Sequence, residues 1–500
     1  MTSEPSAPAD DLPEQMQVRR DKRSRLLESG REAYPIVVER THTIAQIRET
    51  YDSQELAPDT QTGDRVAIVG RIIFLRNTGK LCFVRLREGA GAEIQAMLSL
   101  ADVGEESLAD FKALVDLGDL LAVQGEVITS RRGELSVQVS DWQIAAKTLR
   151  PLPNEHRPLS DEARIRLRYV DMMIRPEPRE LVRAKAKVLK SLRSTLDDQG
   201  FIEVETPILQ LTNGGAAARP FKTHLNALDQ QMLLRIALEL DLKRAMIGGV
   251  DSVYEIGRTF RNEGLDSTHA AEFSMLEAYQ AYGDQFTMMQ LAQDLVVNAA
   301  QALGITQPIG RNGEPIDLEG QWRRAPILDL VSEAVGETVA ADTSADHLRA
   351  LAERHEVELK KEWGAAEIVV ELYEQLVEHT LIQPTFVMDF PSEVKPLAKA
   401  HRSKPGLNEA WDLIINGVEL AAAYSELNDP VIQRERLTAQ SLLAAAGDPE
   451  AMELDEVFLK AMEYGMPPAG GIGIGVDRLI MLLTGVGIRE TILFPLLRPE

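Results

Sequence analysis

Between residues 66 and 146 the chain alternates apolar and polar residues in five short runs, VAIVGRIIF, LCFVRLRE, EIQAML, LLAVQGEVIT and ELSVQVSDWQI, set apart by glycine-containing turns. Alternation with a period of two turns one face of each run toward a core and the other toward solvent. Five such strands fit a small closed barrel of the OB type, whose second and third strands offer a face to single-stranded nucleic acid. An SH3-like barrel fits the same count, so the pattern constrains the fold and leaves function open.

The flanks of this barrel differ in composition. Residues 1–13 are rich in Pro, Ala, Ser and acid and read as a disordered tail. EQMQVRRDKRSRLLESGREAYP follows, a helix carrying Arg19, Arg20, Lys22, Arg23 and Arg25 that stops at Gly30. It is either a solvated charged helix or one that contacts phosphates. LRPLPNEHRPLS, with its prolines, marks a linker over 151–160, so that residues 14–150 form one domain and 161–500 another. The formal charge of -24 argues against a nucleic-acid partner only on average. Phosphate contacts depend on local Lys and Arg clusters. No apolar run approaches the roughly 20 residues of a membrane span. The start lacks the basic and then apolar order of a secretory signal, and Cys82 is the sole cysteine. A cytoplasmic protein without disulfides or membrane association is expected.

The larger part reads as α+β. A helical pattern over 178–199 sets Leu181, Val188, Leu192 and Leu196 on one side. FIEVETPILQ follows as a strand, and its Pro207 suits an edge or an interface because proline donates no ladder hydrogen bond. Residues 284–304 and about 341–381 read as amphipathic helices, the second group an insertion.

Three segments carry chemistry. In VYEIGRTFR, period two groups Val253, Glu255, Gly257, Thr259 and Arg261; in AEFSMLEAYQAY it groups Phe273, Met275, Glu277 and Tyr279. Paired as antiparallel strands, they present an arginine, an aromatic ring and a carboxylate to one space. A guanidinium meets phosphate or carboxylate in bidentate fashion and a Phe face stacks on a purine. An ion-paired core hairpin explains the same spacing. In EAWDLIINGVELAAAYSELND, Asn416-Gly417 is the favoured two-residue hairpin turn, which sets Ile415 opposite Val418, Ile414 opposite Glu419 and Asp412 opposite Ala421. Asp412 and Glu419 become diagonal neighbours on one face, suited to a shared Mg²⁺ or to solvent. Glu426 falls on the opposite face unless a bulge intervenes. In PPAGGIGIGVDRLIMLLTG, Gly471, Gly473 and Gly475 clear one strand face before a helix begins near Val476 with Arg478 in its first turn, placed for a phosphate or simply for packing.

Taken together these stretches resemble the bacterial class II lysyl-tRNA synthetases. GFIEVETP is similar to the class's first motif, TFRNEG with HAAEF to the second, and GIGIGVDR to the third. The resemblance implies an N-terminal OB-type anticodon-binding barrel and an antiparallel-sheet catalytic domain with a helical insertion, in a homodimer joined through the first motif. It implies activation of L-lysine with ATP and Mg²⁺ and transfer to the 3′ end of tRNA(Lys). It assigns Arg261 and Arg478 to catalysis, and Arg261, Glu263, His269, Phe273 and Arg478 to ATP. Glu239, Arg261, Glu277, Tyr279 and Glu426 go to lysine, Asp412 and Glu419 to the metal, and Phe83, Gln95 and Glu134 to the anticodon. The chain departs from the family's usual residues at Leu238, Asp241, Ala270, Ala271 and Ala422, and has Asp412 where Glu is frequent. A divergent paralogue that binds lysine or RNA without charging tRNA is the alternative.

Overall fold

The computed structural model describes residues 13–153, 159–264, 266, 269–445 and 451–498. Residues 1–12 of the expected tail, part of the linker and part of the loop before HAAEF lie outside the described residues. The chain divides into two compact units, Met1–Arg179 and Glu180–Glu500.

In the first unit β1 (Gln61–Asn77), β2 (Leu81–Arg87), β3 (Glu93–Ser99), β4 (Leu120–Thr129) and β5 (Leu135–Ala146) close a barrel in the order β1-β2-β3-β5-β4. Alternation sorts the side chains as expected. Cys82, Val84 and Leu86 of β2 and Ile94, Ala96 and Leu98 of β3 fill the interior, while Phe83, Arg85, Gln95 and Met97 face outward. The parallel β3–β5 pair closes the cylinder. The helix Glu105–Leu114, which bridges β3 and β4, seats Leu108, Phe111 and Leu114 in the same core.

The basic helix forms at Glu14–Glu28, but two of its cations are structural. Arg19 Nη1 donates to Thr148 Oγ1 at 2.6 Å and its Nη2 to the Leu117 carbonyl at 2.9 Å, while Lys22 pairs with Asp116. The charge run therefore serves partly as a fastener to the barrel.

The second unit is built on an eight-stranded sheet, order β12-β13-β14-β15-β16-β11-β10-β6. Its strands are β6 (Ile202–Glu203), β10 (Ser252–Phe260), β11 (Glu272–Ala281), β12 (Arg323–Pro326), β13 (Thr385–Met388), β14 (Ala410–Ile415), β15 (Val418–Ser425) and β16 (Ala469–Gly475). A separate sheet orders β7 (Leu209–Gln210), β9 (Gln230–Leu234) and β8 (Lys222–Leu225) as β7-β9-β8. The single strand expected for FIEVETPILQ is thus two short pieces in different sheets. Pro207 lies between them, where a missing donor breaks the ladder.

Helices cover one face of the large sheet. Glu177–Asp198 and Gln285–Leu303 bury Val188, Leu192 and Leu196 against Met288, Leu295 and Val296, with Trp411 and Ile472 from the sheet. The helices expected over about 341–381 form as Ala345–Arg354 and Ala365–Leu376, which pack with Ile327–Val335 around Leu348, Leu351, Ile368 and Leu372. No helix among the described residues is long and apolar enough to cross a membrane.

Candidate active site

The other face of the large sheet lines a cavity of about 1170 Å³. Strand register decides which side chains reach it. β10 and β11 pair with Val253 opposite Tyr279, Glu255 opposite Glu277, Gly257 opposite Met275 and Thr259 opposite Phe273, so the two rows expected to share a face do share it. Glu255 is taken by structure: its carboxylate meets Arg235 Nη1 at 2.8 Å and accepts from Thr206 Oγ1 at 2.7 Å. Glu277 is open to the cavity, as are Phe273, Met275 and Tyr279.

The hairpin turns at Asn416 and Gly417, both at positive φ (60° and 67°), the geometry of the two-residue turn that their sequence favours. Ile415 pairs with Val418 and Ile414 with Glu419 as expected, but Asp412 lies opposite Ala422 rather than Ala421. The register slips by one residue because Leu420 and Ala421 both turn into the apolar core. Of the two options left open for Glu426, the bulge is the one found. It restores Glu419, Ala422, Tyr424 and Glu426 to a single row along the cavity.

β16 contributes backbone rather than side chains. A Cβ on Gly471 would stand 2.0 Å from Glu426 Oε1 and 2.4 Å from the Tyr279 ring, so only glycine lets these two groups close over the strand. The helix Val476–Thr484 follows, and Arg478 Nη1 donates to the Glu419 carbonyl at 2.6 Å.

Arg261, one residue beyond β10, is fixed by its N–H to the Ala271 carbonyl at 2.9 Å, and its guanidinium carbon lies 5.3 Å from the Phe273 ring centre. Its buried Nε has no hydrogen-bond partner among the described residues. Burial pulls the guanidinium below its ordinary pKa, against the favourable fields of Glu419, Glu263 and Glu277. Glu263 and His269 also line the cavity. Glu263 accepts from the Arg219 N–H at 3.3 Å, and His269 Nδ1 lies 2.8 Å from Asp266 Oδ2.

At the cavity's other end Glu239 opens the helix Glu239–Ile247, and Lys243, one turn later, joins it to Glu426. The Lys243 Nζ also sits 5.7 Å from the Tyr279 ring centre. Burial alone would lower its pKa, but Glu239 and Glu426 more than offset this and hold Lys243 charged. Glu277 accepts from the Leu238 N–H at 2.9 Å and from Tyr279 Oη at 3.0 Å. Burial, with Glu239 adding, pushes it up to about 7. Glu426 Oε1 is buried and accepts no hydrogen bond among the described residues. A buried carboxylate oxygen without a donor is costly unless a cation arrives.

The expected metal pair behaves unevenly. The Glu419 carboxylate enters no ion pair among the described residues, whereas both Asp412 oxygens accept from Lys395 Nζ at 3.0 Å. Burial raises Asp412 to about 6, with Lys395 opposing and Glu419 adding. The described residues include no group of three His, Cys, Asp or Glu side chains disposed to hold a metal. Asp412 is thus engaged by an ammonium, whereas Glu419 lines the cavity without an ion-pair partner among the described residues.

Lys243 and Lys395 are the residues that sequence reasoning missed. The first had a signal, since Glu239 and Lys243 are spaced i, i+4 on a helix. The second lies in a stretch without periodicity. On the barrel, Phe83 stands opposite Met97, Gln95 opposite Arg85, and Gln95 Nε2 donates to Ser136 Oγ at 2.9 Å. The same hydroxyl donates to the Glu134 carbonyl at 2.9 Å, which brings all three expected anticodon residues to one region of the barrel.

Comparison with known proteins bears directly on this geometry. A family model described as tRNA synthetases class II (D, K and N) matches residues 160–498, and one for an OB-fold nucleic acid binding domain matches residues 66–145. The chain belongs to the class II tRNA synthetases of this group. It is 53% identical to the lysine-tRNA ligase of Mycolicibacterium gilvum (strain PYR-GCK), over 100% of this chain and 99% of that protein. It is 51% identical to the lysine-tRNA ligase of Mycobacterium tuberculosis (strain ATCC 25177 / H37Ra), over 98% of each. A lysylphosphatidylglycerol biosynthesis bifunctional protein LysX of Mycobacterium avium (strain 104) is 50% identical over 98% of this chain but only 41% of its own length.

Proposed function

We infer that the protein activates L-lysine with ATP and transfers the lysyl group to the 3′ end of tRNA(Lys). The observation that carries this reading is the charge of the buried set. When ionised, Glu239, Glu277 and Glu426 bring three negative charges and Lys243 one positive. The surplus of two matches the α- and ε-ammonium groups of lysine, and buried charges persist when paired. An acidic substrate side chain, as an aspartate-specific relative would need, adds charge of the wrong sign.

In this reading Glu239 meets the α-ammonium, while Glu277, Tyr279 and Glu426 surround the ε-ammonium. Arg261 bridges the lysine carboxylate and the α-phosphate through donors that include its unpartnered Nε. Glu263 and His269 meet ATP, Phe273 lies under adenine, and Arg478 covers its other face. The lysine carboxylate attacks the α-phosphorus in line and pyrophosphate leaves. A terminal ribose hydroxyl of the tRNA then attacks the carbonyl carbon of the lysyl-adenylate so formed, and AMP leaves. Arg261 and Arg478 stabilise the charge that develops on the phosphate oxygens, and the remaining acceleration comes from holding the two reactants in line. Magnesium is typical of the family, and Glu419 is the side chain open to it here.

The family match from residue 160 supports a catalytic domain at 161–500 behind an anticodon-binding barrel that uses Phe83, Gln95 and Glu134. A homodimer is supported by the exposed apolar side chains beside Pro207, where Ile202, Ile208, Leu209 and Leu211 are 57%, 43%, 45% and 64% exposed. A monomeric mass in light scattering counts against it. The activity is tested by ATP–pyrophosphate exchange with each of the standard amino acids. Lysine-specific exchange is expected. No exchange with any amino acid favours a paralogue that only binds.

A further inference from the structure

Lys395 stands where the expected metal pair would place a cation. Its Nζ lies 3.0 Å from each Asp412 oxygen, 4.7 Å from the Phe390 ring centre and 5.8 Å from that of Tyr424. Lys395 lines the cavity and Asp412 does not, so a ligand entering meets the ammonium rather than the carboxylate behind it. Across the strand pair from Asp412 is Ala422, whose methyl group offers no polar atom. An ammonium has three N–H donors. Two are spent on Asp412, and one remains for the cavity.

We propose that Lys395 is the fixed cation of this wall: it closes Asp412 to divalent ions and gives its remaining N–H to an anionic oxygen of the bound substrates, phosphate or carboxylate. The proposal rests on the reading of the cavity as an ATP-dependent, amino-acid-activating site. A divalent ion asks for carboxylate oxygens that are free to coordinate, and Asp412 has both engaged by a partly buried cation already in place. The remaining open acid, Glu419, can still share an ion with ATP phosphates.

Equilibrium binding of Mn²⁺, followed by electron paramagnetic resonance on the full chain with and without a non-hydrolysable ATP analogue, tests this directly. The native protein and D412N are expected to bind the same number of ions, because Asp412 is not a ligand. K395M is expected to bind one more, and K395M/D412N to return to the native count. Loss of an ion in D412N alone overturns the proposal, and so does a K395M protein with an unchanged count. Should K395M fail to fold, the D412N comparison decides by itself. In pyrophosphate exchange, K395M is expected to raise KM about tenfold for ATP if the contact is a phosphate, or for lysine if it is a carboxylate. An unchanged KM for both overturns the contact. Failure of the native protein to bind the nucleotide analogue would instead sink the ligase reading, while the ion counts without nucleotide still judge Lys395.

Discussion

On the barrel, Phe83 and Gln95 stand on an outward strand face above an apolar interior, and Gln95 is satisfied by a neighbouring serine. In the cavity of the second unit the side chains proposed to meet substrate are themselves buried. Glu277 and Glu426 are 4% and 1% exposed, Lys243 is fully enclosed, and Glu426 Oε1 and Arg261 Nε lack partners among the described residues. The barrel can thus carry the proposed recognition at little cost to its own folding, since the row that holds Phe83 and Gln95 lies outside the core. The cavity places charge inside the fold and leaves valences that a charged ligand completes. Substitutions in the first region should weaken one partner's binding, whereas those in the second should alter chemistry and stability together.

The sharpest way to break this contrast is Gly471→Ala. The new methyl group overlaps Glu426 and Tyr279 at once, both parts of the proposed lysine pocket. Overpacking is expected to cost about 1–3 kcal/mol of stability. Displacing two ligands by about 1 Å should lower pyrophosphate exchange more than about a hundredfold. A protein with native exchange and a native melting temperature would mean that the close approach at Gly471 is not needed.

Glu277→Gln removes the charge and keeps the shape: its single oxygen can still accept from the Leu238 N–H, while its NH2 group must donate to the Tyr279 hydroxyl that donated to the carboxylate. An ammonium left without its buried counter-charge costs about 3 kcal/mol or more, at least a hundredfold in kcat/KM for lysine. The KM for ATP should hardly move. Equal losses for both substrates would argue that Glu277 supports the fold of the cavity instead of reading lysine.

Phe83→Ala moves the question to the barrel. Stacking of a base on an aromatic ring is worth about 1–3 kcal/mol, so kcat/KM for tRNA charging should fall about fivefold to a hundredfold while pyrophosphate exchange stays native. If exchange falls too, the barrel's outer row is not separable from the catalytic chemistry.

Much of this arrangement was readable from local pattern. The barrel strands, the facing rows of β10 and β11, and the Asn416-Gly417 turn follow from alternation and turn chemistry, which act within a few residues. What escaped the pattern was set by packing at longer range. The slip between Asp412 and Ala422 arises because Leu420 and Ala421 both enter the core, and an alternating sequence does not say which residue a bulge will absorb. FIEVETPILQ alternates like a strand, yet its two halves join different sheets on either side of Pro207. The Lys395–Asp412 pair joins a segment without periodicity to a strand, so neither residue announces the other. Arg19 and Lys22 looked like candidates for phosphate because a charge run carries no mark of the acceptors, Thr148, Leu117 and Asp116, that await it in the fold.

The smallest expected effect is also the one that most directly sharpens the contrast between an exposed and a buried site. Burial raises Glu277 to about 7, so in the free enzyme it takes up a proton as pH falls through that value. Only the ionised form pairs with an ammonium. Burial likewise pushes Glu426 up to about 8, so lysine affinity should be greatest above about pH 8 and weaken as pH falls through 8 and 7, with proton release on lysine binding in this range because the arriving charge lowers the carboxyl pKa. Calorimetric titration of lysine in buffers of different ionisation enthalpy reads both quantities. On the barrel, Phe83 and Gln95 carry a phenyl ring and an amide, neither of which titrates, so their contribution to tRNA affinity should not follow this pH dependence. Flat lysine affinity from about pH 8 to about pH 6, with no proton released, would mean that water or a neighbouring group keeps Glu277 ionised throughout, and that its burial does not carry the electrostatic consequence that distinguishes the cavity from the barrel.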